Sequence, residues 1–192
     1  MVLGSEMRQS NINSLGIVLK RINYGEADRI ITILTKDFGK VTLLAKGVRR
    51  PKSKKRGHLE IFSYIKFSAS NTDKLGMLYE VELQDSFPKI RKSLKKMSVA
   101  YYMCETINRV VLEREGDKEL FDFCFKSIKS LENLKLLGSA RLDFVRTLLG
   151  IAGFWPKGKE LLDPDAELEK VTERKSYTIR VGKQVLTPHT GE

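Results

Sequence analysis

Over the first half of the chain apolar residues recur at every second position in short runs, and beyond Phe87-Pro88 they recur at every third or fourth. The first pattern belongs to strands, the second to amphipathic helices. Five strands are predicted between Leu15 and Gln84. The first, Leu15–Ile22, ends at Asn23-Tyr24-Gly25, where Asn and Gly tolerate the positive φ of a tight turn. The second, Arg29–Thr35, carries Ile30, Ile31, Ile33 and Leu34 and is nearly too apolar for a sheet with one wet face, so it is assigned to a barrel wall. Lys36-Asp37-Phe38-Gly39-Lys40 reads as a hairpin loop into Val41–Ala45. After a long polar break, Leu59–Ser68 sets Ile61, Ser63, Ile65 and Phe67 against Phe62, Tyr64 and Lys66, and Asn71–Gly76 turns the chain into Met77–Leu83. Five short strands in about seventy residues match the count and size of an OB-fold barrel.

Three helices follow. Leu94, Met97, Tyr101, Cys104, Ile107 and Val111 share one face of the first. The second starts at Asp117 as N-cap and carries Leu120, Phe121, Cys124, Phe125 and Ile128. The third runs from Leu134 or Ser139 to Ala152 with Leu142, Val145, Leu148 and Leu149 as its stripe, and Gly153 ends it. Leu161–Lys170 is loop or short helix, and Ser176–Leu186, interrupted by Gly182-Lys183, is a hairpin. The fold class expected is α+β: an extension over residues 1–14, a five-stranded OB-fold over 15–86, a helical bundle over 87–156 and a segment over 157–192 with a metal-free β-hairpin.

Charge adds a partner class. The chain carries 35 Lys and Arg against 24 Asp and Glu, a formal charge of +11, and polyanions suit such a surface. No apolar run approaches the ~18 residues of a membrane span, and Met1–Asn13 lacks the apolar stretch of a secretory signal. The cytoplasm, close to the nucleoid, is the expected location, with no membrane partner. Cys104 and Cys124 stand twenty residues apart in helical segments with no histidine at ligand spacing. They read as buried thiols, and no metal or other cofactor is expected.

The densest charge lies in Lys46-Gly47-Val48-Arg49-Arg50-Pro51-Lys52-Ser53-Lys54-Lys55-Arg56, where seven of eleven residues are cationic and none is acidic. Such a run repels itself, so it is expected to be a mobile loop held off the barrel by Pro51 and Gly57, binding phosphates through Lys46, Arg49, Arg50, Lys52, Lys54, Lys55 and Arg56. Lys20, Arg21, Arg29 and Lys40 at strand ends join it. Single strands also need stacking platforms. Among Tyr24, Phe38, Phe62 and Tyr64 the expected ones are Phe38, in a polar turn, and then Tyr64.

Enzymatic patterns fail on inspection. Gly39-Lys40 resembles the end of a phosphate-binding P-loop, but Leu34 stands where its leading Gly is required and Val41 where Ser or Thr should bind magnesium. Glu26 and Asp28 are a turn pair with no third carboxylate at useful spacing. His58 and His189 are far apart, and no nucleophile arrangement can be assembled. The chain is expected not to be an enzyme.

The blocks Gly16-Ile17-Val18-Leu19, Tyr24-Gly25-Glu26-Ala27-Asp28-Arg29, Leu34-Thr35-Lys36-Asp37-Phe38-Gly39-Lys40 and Ala45-Lys46-Gly47-Val48-Arg49-Arg50 occur in that order. They continue through Leu59-Glu60-Ile61-Phe62, Phe87-Pro88 and Leu148-Leu149-Gly150-Ile151-Ala152-Gly153-Phe154. On these blocks the chain resembles the RecO family of bacterial recombination mediators over residues 15–156. The resemblance implies an amino-terminal OB-fold, a helical domain, no catalysis, and binding of single- and double-stranded DNA. It also implies annealing of complementary strands, contact with RecR and with the carboxy-terminal tail of single-stranded DNA-binding protein, and a part in loading RecA. Many members carry a four-cysteine zinc site, and here the sequence past Trp155 holds no cysteine. Either the ribbon survives as a metal-free hairpin or the chain is a shortened form.

An acidic tail ending in apolar residues would suit a groove in the helical part rimmed by Lys126, Lys129, Arg141 or Arg146. Two other readings stay open: an OB-fold RNA-binding or ribosome-associated module, and an adaptor whose bundle binds proteins while the charge only solubilises.

Overall fold

The computed structural model describes residues 11–70, 75–113, 115–156 and 161–172. Five strands, β1 (Asn11–Tyr24), β2 (Asp28–Thr35), β3 (Gly39–Ala45), β4 (Tyr64–Ser70) and β5 (Gly76–Asp85), close into a barrel in the order β1-β2-β3-β5-β4. All pairings are antiparallel except β3 with β5, which meet in parallel at Leu43↔Gly76 and Leu44↔Met77. This is the OB-fold expected. β1 is long enough to pair with β4 from Asn11 to Ile17 and with β2 from Gly16 to Tyr24, bending at the bulge between Val18 and Lys20. The strand therefore takes in residues 11–14, which the alternation leaves in an extension.

The apolar excess of β2 has a physical cause. Ile31 and Ile33 point inward with Val18, Val41, Leu43, Ile65 and Phe67 to fill the barrel. Leu34 belongs to a second core, with Ile17 and Leu19 of β1 and Ala100, Met103, Cys104 and Ile107 of a helix. Both faces of that stretch of wall are dry.

The strand expected over Leu59–Ser68 is shorter, because Phe62 takes φ 57 and breaks the extended run. Its amide donates to Val18 O at 2.7 Å, Val18 N donates back to Ser63 O at 3.0 Å, and β4 starts only at Tyr64. Arg91 locks this hook in place. Its guanidinium lies 4.0 Å above the Phe62 ring and donates to Ile61 O and Ser63 Oγ, both at 3.1 Å.

The helices are α1 (Pro88–Arg91), α2 (Leu94–Val110), α3 (Lys118–Ser130), α4 (Leu137–Ile151) and α5 (Pro164–Thr172). The Asp117 side chain accepts from Leu120 N at 3.0 Å, the cap its sequence position predicts. Gly153, at φ 78, stands just past the end of α4, as expected. Cys104 and Cys124 are buried free thiols, and burial pushes the Cys104 thiol up to about 12. The segment around Leu161–Lys170 resolves into α5. The hairpin expected over Ser176–Leu186 lies outside the described residues, as does most of the turn over Asn71–Gly76.

Barrel and helices meet at a second seam. Lys40 Nζ donates to Asn108 O at 2.7 Å, and Thr42 Oγ1 to Glu113 Oε1 at 3.4 Å. The β2–β3 hairpin thus leans on the last turn of α2. None of the described helices is long and apolar enough to cross a membrane.

Candidate nucleic-acid interface

The basic run leaves the end of β3 and is pinned to the barrel rather than held off it. Gly47, at φ 65, takes a conformation that favours glycine, and its amide donates to Asp28 Oδ1 at 2.7 Å. Val48 is wholly buried and joins the barrel core, as does Leu59 beyond the run. Arg49 N donates to Ala27 O at 2.8 Å and its Nη1 to Gly25 O at 3.1 Å, tying the run to the β1–β2 turn. At the other end Lys55 Nζ donates to Tyr79 O, and His58 Nδ1 lies 3.3 Å from Val81 O. The mobile loop expected from self-repulsion is therefore a fixed segment closing in a single 3-10 turn, Lys54–Gly57. One valine inside the cationic run was the signal for this, since its burial drags the neighbouring backbone onto the barrel.

Pinning leaves Lys46, Arg50, Lys52, Lys54 and Arg56 exposed, while Arg49 and Lys55 are half-buried in the contacts just described. Lys20 is exposed on β1. Arg21 is bonded to Glu60, and Arg29 Nη1 stands 3.9 Å from the same carboxylate. Asp28, weighed as half of a metal pair with Glu26, instead caps Gly47, and among the described residues no group of His, Cys, Asp and Glu is placed to hold a metal ion.

Lys40 is tied to the helices, within reach of the charge of Lys20. Its ammonium is bound to the end of α2, and burial lowers its pKa, against the opposing pull of Glu113. A cation at a helix C-terminus completes orphan carbonyls, which makes Lys40 a junction residue.

The aromatic expectations divide. Phe38 is 37% exposed, but Tyr64 lies against Phe125 with ring centroids 4.5 Å apart, and burial, with the charge of Asp122, raises its phenol pKa. Among the described residues the two most exposed tyrosines flank the basic segment: Tyr24, 53% exposed, precedes the glycine that Arg49 grips, and Tyr79, 42% exposed, carries the carbonyl that holds Lys55. Sequence reasoning missed Tyr79. It is the extra residue of a bulge, since Leu78 pairs with Ala69 and Glu80 with Ser68, and simple alternation does not reveal which way such a residue turns.

The four helix cations occupy four different environments. Lys126 is exposed, and Lys129 lies 5.7 Å from the Phe125 centroid. Arg146 is paired with Asp143 at 2.8 Å and donates to Leu161 O. Arg141 is buried, making two hydrogen bonds to Asp165. A groove of about 240 Å³ does lie between the ends of α2 and α4 and the start of α3, but its polar lining is Glu115 and Asp117, so its rim is acidic where a basic one was expected.

Sequence comparison accounts for nearly all of the described chain. Residues 7–87 match the family described as Recombination protein O N terminal, and residues 91–160 match Recombination protein O C terminal. The chain belongs to the RecO family. Curated RecO relatives include the DNA repair protein RecO of Acetivibrio thermocellus, 35% identical over 149 residues, 76% of this chain and 58% of the relative. Those of Dehalococcoides mccartyi and Bacillus subtilis are each 31% identical, over 75% and 74% of the chain and 57% and 56% of the relative. The chain thus spans somewhat more than half the length of the RecO proteins it matches. Both RecO regions fall where the structure changes character, the first ending at Phe87 and the second covering α2 to α4.

Proposed function

We propose that this chain acts in DNA repair and recombination by binding single- and double-stranded DNA without sequence preference and bringing complementary strands together. The observation that carries the proposal is the pinned segment: five exposed cations held in fixed places beside Arg21 and Arg29, flanked by two exposed tyrosines. Cations fixed in advance neutralise phosphates without the entropy of ordering a loop. Two strands repel each other, and a surface that screens both lowers that barrier without hydrolysing nucleotide. Membership of a family whose curated relatives are named DNA repair proteins supports the same reading.

The finer mediator role rests on the family resemblance: contact with RecR, capture of the tail of single-stranded DNA-binding protein, and help in loading recombinase on coated strands. Of the four helix cations named for an acidic tail, Lys126, Lys129 and Arg146 are exposed, and Arg146 is paired with Asp143. The proposed work is non-covalent and needs no catalytic group.

The test is a titration of labelled oligonucleotides of unrelated sequence across a salt series, scoring affinity and annealing for the chain and for a variant with Lys46, Arg50, Lys52, Lys54 and Arg56 replaced by Ala. The variant should bind weakly, with a log K against log salt slope shallower by roughly three to five. Equal affinity and annealing for both would rule the face out, and a strong preference for structured RNA would favour an RNA-binding module.

A further inference from the structure

At the foot of the basic segment one carboxylate serves two arginines. Glu60 is bonded to Arg21 Nη1, and Arg29 Nη1 lies 3.9 Å from the same Oε1. The Arg29 side chain is 12% exposed. Its Nε donates to Asn23 Oδ1 at 3.2 Å, but its Nη1 is buried and has no hydrogen-bond acceptor among the described residues. A buried guanidinium N–H without an acceptor is unfavourable, and its planar fork is shaped to take two oxygens of a carboxylate or a phosphate. Burial does most to lower the Arg29 pKa and the charge of Arg21 comes next. Glu60 opposes both, and Arg56 and Arg49 add to the lowering. Three guanidinium groups, Arg21, Arg56 and Arg49, therefore act on Arg29 against the single carboxylate of Glu60, whose charge also reaches Arg91, and the site is short of anion.

We infer that Glu60 holds the place of a backbone phosphate: on docking, a phosphate oxygen takes the fork of Arg21 and Arg29, Arg29 Nη1 gains its acceptor, and Glu60 is displaced to solvent. The inference rests on the reading that this face binds DNA. Without DNA, Glu60 keeps two mutually repelling guanidinium groups in register. With DNA, the bond it surrenders subtracts from affinity, which lets a protein that joins strands leave the duplex it has made. The ligand is a phosphodiester, recognised by charge and fork geometry and not by base.

The experiment uses the full chain and a labelled oligothymidylate at ~0.1 M salt. Glu60→Gln removes the competing anion and should tighten binding roughly threefold to tenfold. In an Arg21→Ala/Arg29→Ala background the same change should give no gain, because nothing is left to be unmasked. Glu26→Gln removes an equal charge from the adjacent β1–β2 turn and should have the smaller effect. If the Arg double variant melts below the assay temperature, Arg29→Lys replaces it: the charge stays, the fork is lost, and the gain should shrink. An unchanged or weaker Glu60→Gln variant overturns the inference, as does a gain that persists without the arginines or is matched by Glu26→Gln. In those cases the DNA reading survives, provided the five-Ala variant has lost affinity. If the wild-type chain itself fails to bind, both readings fall together.

Discussion

Arg141 of α4 and Asp165 of α5 face each other with two parallel hydrogen bonds, Nη1 to Oδ1 at 2.6 Å and Nη2 to Oδ2 at 2.8 Å. Tyr102 of α2 completes the arrangement, its hydroxyl donating to Oδ1 at 2.8 Å and its ring lying 4.9 Å from the guanidinium. Burial works against the arginine's charge, but the bonds and charge of Asp165 prevail and hold its pKa above the usual value. Removing one partner of a buried pair leaves the other uncompensated and costs about 3–5 kcal/mol. Arg141→Ala should therefore lower the unfolding free energy by about that much in urea titration, while DNA affinity measured well below the melting temperature stays at the wild-type level.

Asp28→Ala sets two effects in opposition. Loss of an acidic group beside the proposed DNA-binding face favours affinity, whereas loss of the acceptor for Gly47 N–H frees the basic segment. The second effect should win. Stability should fall by about 1–2 kcal/mol, and oligonucleotide affinity by fluorescence anisotropy should weaken despite the more positive charge. Tighter binding would mean that the order of the segment does not matter.

Tyr24 and Tyr79 should each matter for single strands more than for duplex. Replacement by Ala should weaken single-strand binding by about 1–3 kcal/mol per stacked base, with little change in duplex affinity or melting temperature. Tyr64→Ala should instead lower the melting temperature and leave single-strand affinity unchanged, because its ring packs on Phe125 between barrel and α3.

The buried thiols give the fold an alkaline weakness. Burial raises the Cys104 pKa from 9.0 to about 12 and drives Cys124 up as well. The stabilisation that comes from keeping these thiols protonated is fully present below the unfolded value near 9 and is lost as pH rises through the folded value, because in that window the unfolded chain binds fewer protons. Unfolding free energy should begin to fall above about pH 9, and less steeply in a Cys104→Ala/Cys124→Ala variant. Both thiols should be inert to thiol reagents at pH 8 until the chain is denatured.

Much of this architecture was legible in the residues. Short apolar runs between turn residues located the five strands, and the spacing from Leu94 to Val111 located α2, because one side of that helix is mainly apolar. Asp117 and Gly153 announced helix ends through their own backbone chemistry. What could not be read were features set by partners distant in sequence. The left-handed turn at Phe62 depends on Val18 and Arg91, the bulge that exposes Tyr79 depends on β4, and Arg141 looked like a surface cation because Asp165 lies twenty-four positions on. The basic segment was legible as charge but not as geometry, since charge density argues for a loose loop and only Val48 argues for a tethered one.

The apolar seam joining Ile17, Leu19 and Leu34 to α2 has a thermodynamic consequence. A barrel cut from the chain after Phe87 would present that stripe to water and should be recovered mainly in inclusion bodies, while the intact molecule should show one calorimetric endotherm whose van't Hoff and calorimetric enthalpies agree. Were DNA bound as proposed, force applied through it would then reach the helices through that packed seam.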